Sequence, residues 1–85
     1  MIHKIKLESY PGTMEEFVEE IGNLRYDALS DFLNLLANKI QKDGDNDKNR
    51  NRVKLAQHLH DCSKKLRDCQ SSIDKAWIIC EPYMK

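Results

Sequence analysis

The side chains best suited to chemistry cluster in the second half of the chain. His58, His60 and Cys62 form a His-x-His-x-Cys string, and Asp43-x-Asp45-x-Asp47 precedes it. On a helix His58 and Cys62 stand one turn apart and could share a metal, while His60 points elsewhere. Zinc needs four ligands, or three and a water, and no Cys-x-x-Cys or His-Glu-x-x-His spacing supplies the rest. The expectation is therefore no metal site, with His58 bordering a core and His60 in solvent. The aspartates resemble the opening of a calcium loop, but Lys48 stands where that loop needs glycine and Lys54 where it needs glutamate. A solvated turn over residues 43–51 explains them better. Met1, Ile2 and His3 could hold copper through amine and imidazole, as any chain with a third-position histidine could.

Nucleophilic chemistry finds no better footing. Cys62, Cys69 and Cys80 belong to a residue type that is usually buried, and only Lys65 and the nearby histidines would lower a thiol pKa. Seven helical residues put Cys62 about 10 Å from Cys69, too far for a disulfide. Packing by reduced thiols is expected. Ser9, Ser30, Ser63, Ser71 and Ser72 lack the glycine elbow of a hydrolase serine. Glu15, Glu16, Glu19 and Glu20 would make a carboxylate box only with acids from a facing helix, and the segment expected to face them, Ile73 to Cys80, offers Asp74 alone. No catalytic residue and no cofactor are expected.

Binding is the more promising chemistry. Lys48, Arg50, Arg52 and Lys54 form an alternating basic run without the aromatics that stack nucleobases, so it suits a solvated face or a protein contact better than nucleic acid. Trp77 and Tyr83 are of the types that anchor protein contacts, although Trp77 packed on Met14 is the simpler arrangement.

These residues are carried by strongly periodic segments. Leu55, Leu59, Cys62, Leu66, Cys69, Ile73, Ala76, Cys80 and Tyr83 follow one another at steps of four or three and fall on one helical stripe. Such a stripe needs cover from another helix, of this chain or of a second copy. Upstream, Met14, Phe17, Val18, Ile21, Leu24, Ala28, Leu29, Phe32, Leu35, Leu36 and Ile40 read as one helix, bent near Gly22-Asn23. Thr13 and Glu16 form a capping box at its start, and the glutamates suit the positive end of its dipole. Before it, Ile5 and Leu7 alternate with charged residues over 2–10 in a short strand or extended arm ended by Pro11-Gly12. Pro82 stops the last helix.

A turn at Asp43–Lys48 would set level the residues whose numbers add to about 91, pairing Leu35 with Leu55, Phe32 with Leu59, Leu24 with Leu66, Val18 with Ile73 and Met14 with Trp77. Exposed pairs Glu16–Lys75 and Asp27–Lys64 would fit the same register. Charge is segregated: residues 14–31 hold six acids and one base, residues 48–67 seven bases and one acid. Two hairpins packed antiparallel would bring each acidic end beside the other's basic end.

The expected fold is all-α: an N-terminal arm (1–12), then a long antiparallel hairpin (13–85) with helices about 14–42 and 49–80, dimerising into a four-helix bundle. Its expected core seam is Leu55, Leu59, Cys62, Leu66, Cys69, Ile73, Ala76 and Cys80. The balance of fourteen basic and fourteen acidic side chains argues against a chain built to coat nucleic acid or an anionic membrane. No apolar run nears the roughly eighteen residues of a membrane span, and no signal-peptide core follows the N-terminus, so a cytoplasmic location is expected. The expected function is a non-catalytic protein–protein interaction, regulatory or adaptor module acting as a homodimer. The alternatives are a nucleic-acid-associated regulator using the basic run, and a metal- or redox-linked protein using His58 and Cys62.

Overall fold

A computed structural model describes residues 3–84 of the chain. Helix α1 runs Met14–Gly22, α2 Tyr26–Asn49 and α3 Val53–Cys80, followed by one 3-10 turn at Glu81–Tyr83; no strand occurs among the described residues. Residues 3–12 form an irregular arm, so the short alternation around Ile5 and Leu7 does not become a strand.

The capping box forms as the sequence implies. The Glu16 N–H donates to the Thr13 hydroxyl at 3.1 Å, and the Thr13 N–H donates back to the Glu16 carboxylate at 3.0 Å. The single bent helix over 14–42 does not form: it breaks at Asn23–Arg25. The Arg25 guanidinium grips both oxygens of Asp27, at 2.7 and 2.8 Å. Side chains two apart do not face each other on a helix, and Arg25 makes this fork from extended backbone, at φ −55° and ψ 144°. Its guanidinium also sits 5.3 Å from the centre of the Trp77 ring, tying the break to the end of α3.

The turn also lies elsewhere. Residues 43–49 continue α2, and the chain reverses over Arg50–Arg52. The Asn51 N–H bonds the Lys48 carbonyl and the Arg52 N–H bonds the Asp47 carbonyl, a Schellman closure. Asn51 takes the left-handed conformation this closure needs, at φ 62°. Asp43 stays helical beside Lys39 at 2.6 Å, and Asp47 receives Arg52 at 3.3 Å. Moving the turn moves the register. Ala37 lies level with Ser63 (sum 100) and Ser30 with Asp74 (sum 104), so the pairing about 91 and its ion pairs do not occur.

The line of closest approach consists of small residues. Ser30, Ala37 and Gly44 recur every seventh position on α2, Ala56 and Ser63 on α3, and all five are buried. Ala37 is 0% and Ala56 2% exposed. The Ser63 hydroxyl reaches across to the Ala37 carbonyl at 2.9 Å. A Cβ added at Gly44 would meet the His60 ring at 2.5 Å and Leu59 Cβ at 3.3 Å, so glycine is what lets α3 close there. The heptad stripe is consequently not the seam between the two helices. Leu55, Cys62 and Cys69 are exposed, and Leu59, Leu66, Ile73, Ala76 and Cys80 only half-buried, because close backbones turn that stripe to one flank.

Replacing Ala37 by leucine is expected to lower stability by about 1–3 kcal/mol through overpacking, whereas Leu35→Ala, at a side chain 66% exposed, stays within ~0.5 kcal/mol. Denaturant unfolding of the two variants checks this; the reverse ranking would restore the leucine seam. At the turn, Asn51→Ala should lose about 1 kcal/mol in the same assay, and Asn51→Gly should lose nothing.

Candidate interaction surface

Close packing gives the hairpin two unlike faces. On one, Arg67 donates to Asn34 at 3.3 Å, Asn38 at 2.9 Å and Gln41 at 2.8 Å, while His60 Nε2 lies 2.8 Å from Asp45. Ser30 donates to Asp74 on the same side. Each helix thus spends its polar flank on the other. On the opposite face Leu29, Leu33, Leu36 and Ile40 of α2 run beside Leu59, Cys62, Leu66, Cys69 and Ile73 of α3, forming an apolar strip in which Leu36, Cys62 and Cys69 are exposed and the others half-buried. Leu36 is 36% and Leu55 48% exposed.

Among the described residues nothing lies over this strip as a second layer. The molecule measures 49 × 30 × 13 Å, and its radius of gyration is 15.5 Å against about 12 Å for a compact chain of this length. Helix α1 folds back at the outer edge of α2, held by Phe17, whose ring lies 6.5 Å from Phe32 and 5.2 Å from Tyr10. No residue of α1 is buried. The accessible surface is 7167 Å², whereas a compact monomer of 10.0 kDa exposes about 5,200 Å².

The turn end holds a cleft of about 320 Å³, floored by Ile40, Leu55 and Leu59 and rimmed by His3, Asp43, Asp47, Arg50 and Arg52. Arg52 is engaged by Asp47, but Lys48, Arg50 and Lys54 make no ion pair among the described residues. At the open end the same holds for Glu15, Glu19 and Glu20 of α1. The basic run therefore ends up on the turn, as a cluster around a helix reversal rather than a ridge along one helix.

The other proposed site residues scatter. His58 and Cys62 are both exposed, and no group of three or more His, Cys, Asp or Glu side chains is arranged to hold a metal among the described residues. The three aspartates lie in a helix, each beside a basic side chain, which removes the calcium-loop geometry. The copper arrangement involves Met1 and Ile2, outside the described residues. Trp77 packs under Arg25, and Tyr83 is 84% exposed beyond α3. No helix among the described residues is long and apolar enough to cross a membrane. Sequence reasoning missed the small-residue line; its signal was the seven-residue spacing of Ser30, Ala37 and Gly44, matched by Ala56 and Ser63. Comparison with family models, curated proteins and solved structures finds no match for this chain.

The Arg25 fork holds the Asp27 carboxyl below its ordinary range, first through the hydrogen bonds and then through charge, and raises the guanidinium in turn. A carboxylate with a depressed folded value contributes stability above its unfolded pKa of about 3.9, which is lost as pH falls through the lower folded value. Trp77 is the only tryptophan and reports the clamp by fluorescence. Acid titration should change its emission with a midpoint below ~3.9, and Arg25→Ala should abolish the change. A midpoint above the ordinary carboxylate range would contradict the assignment.

Proposed function

We propose that this protein is a small non-catalytic interaction module that works as a homodimer, two hairpins closing their apolar faces into a four-helix bundle. The observation that carries this reading is a single layer of helices with one face hydrogen-bonded and the other apolar and open. A helical domain needs a second layer to enclose a core, and this chain has none of its own among the described residues. The surface in excess of a compact monomer is about 1,900 Å², within the roughly 1,000–2,500 Å² that each chain of an obligate dimer buries.

Charge favours the antiparallel arrangement. Turning one hairpin end for end brings the unpaired Lys48, Arg50 and Lys54 of each copy toward the acidic open end of the other. The bundle would then present Tyr83 and the exposed Ile78 and Ile79 at both ends, where a regulatory or adaptor partner would find apolar anchors. The unpaired bases at the turn also support a second reading, a nucleic-acid-associated regulator, which needs those side chains free rather than neutralised by a second copy.

Sedimentation at micromolar concentration should give twice 10.0 kDa, and Leu66→Glu should abolish the dimer while Leu35→Glu keeps it. A monomer in the unmodified chain overturns the reading. Titration with duplex and single-stranded oligonucleotides at low salt separates the alternative: steep salt-dependent binding would favour it, and no binding would remove it.

A further inference from the structure

We infer that the two copies meet about a two-fold axis that crosses α3 between Leu66 and Cys69, with α3 antiparallel on α3 and α2 antiparallel on α2. This rests on the proposed dimer and adds its register. A two-fold axis pairs each residue with one whose number completes a constant sum, so an all-apolar interface requires a stripe that reads alike from both ends.

The α2 stripe does so about the point between Asn34 and Leu35. There Leu33 meets Leu36 of the second copy and Leu29 meets Ile40. Sliding by one heptad toward the turn would instead place Leu33 on Asp43 and Leu29 on Asp47, burying carboxylates against leucine. The α3 stripe, a strict four-three repeat, admits several centres. About the point between Arg67 and Asp68, Leu66 meets Cys69, Cys62 meets Ile73 and Leu59 meets Ala76; about Lys64, Cys62 meets Leu66 and Leu59 meets Cys69.

The hairpin itself decides between them, because one axis must serve both helices. The Ser63–Ala37 and Ser30–Asp74 bonds set level residues whose numbers add to 100–104, so the centre of the α2 stripe lies level with the Arg67–Asp68 centre of α3. Ser63 bonds Ala37, so an axis at Lys64 would cross α2 near Ala37, close to the register that buries the aspartates. An axis at Ser71, where Cys69 would meet Ile73 and Leu66 would meet Ala76, would cross α2 near Asp31 and set Ile40 on Gly22, past the start of α2. The longest match of both stripes therefore lies at the Arg67–Asp68 centre. That place sets Asp43 opposite Tyr26 at the edge of α2 and Asp47 beyond it, and lays the basic turn end over the acidic open end.

The three cysteines measure the register without altering it. At 1.5 Å per residue, the two copies of Cys69 would be offset along the helices by about 4.5 Å, the two copies of Cys62 by about 16 Å and those of Cys80 by about 37 Å. Three chains each keeping one cysteine, the others replaced by alanine, are treated with a bismaleimide of two-carbon spacer. Each thiol adds across a maleimide double bond, forming a C–S bond and passing its proton to the adjacent carbon, with no leaving group. The Cys69 chain should give a covalent dimer on a denaturing gel, and the Cys62 and Cys80 chains should remain single. Cross-linking of the Cys62 chain with the Cys69 chain silent moves the axis to Lys64, and cross-linking of all three requires a parallel dimer. Either pattern, or silence from all three while they sediment as dimers, overturns the register and leaves the dimer standing. A monomer in sedimentation of the unmodified chain fails the dimer itself.

Discussion

The close approach of α2 and α3 on small side chains is the constraint from which the rest of the structure follows. Backbones near enough for the Ser63 hydroxyl to reach the Ala37 carbonyl leave no room for leucines between them. The larger apolar residues are displaced to one flank, and the polar ones on the other flank come within bonding reach of the opposite helix. Arg67 can then serve three side-chain acceptors on α2, and His60 can lie against Asp45. The seam supplies fit and register more than burial. Each buried methylene contributes only about 0.8 kcal/mol, and among the described residues no large side chain is fully buried.

That division of labour explains which features the sequence revealed. The helical class, the capping box at Thr13 and Glu16 and the stop at Pro82 were legible because they depend on local spacing and capping chemistry. The apolar stripe of α3 was legible too, but what it faces was not. Periodicity reports that a stripe shares one side of a helix; it does not say which neighbour covers it. Gly44 was misread for a related reason. Glycine among aspartates and asparagine has the composition of a turn, yet here it is the missing Cβ of a close helix contact. The real turn depended on one left-handed residue, Asn51, which composition alone does not distinguish from its neighbours. The break at Asn23–Arg25 was legible in place, since Gly22-Asn23 marked a bend there, but the contact of Arg25 with Trp77 fifty-two positions away is one that no local pattern encodes.

The residues that first suggested chemistry found quieter roles. The aspartates of the supposed loop lie beside lysine, arginine and histidine, and His58 and Cys62 sit exposed, with no metal-holding group of three around them among the described residues. What the fold concentrates instead is surface: a flat apolar strip, an acidic end and a basic end. A chain that commits its polar groups internally on one face and leaves leucines and thiols on the other has the surface that the proposed dimer would cover.

Open apolar area and a thin seam together make folding and association one process in this account. The melting temperature measured across a hundredfold range of protein concentration tests that link most directly. Coupled folding and dimerisation predicts a melting temperature that rises steadily with concentration. A melting temperature independent of concentration, with a cooperative transition, would show that the single layer folds alone and would contradict the account.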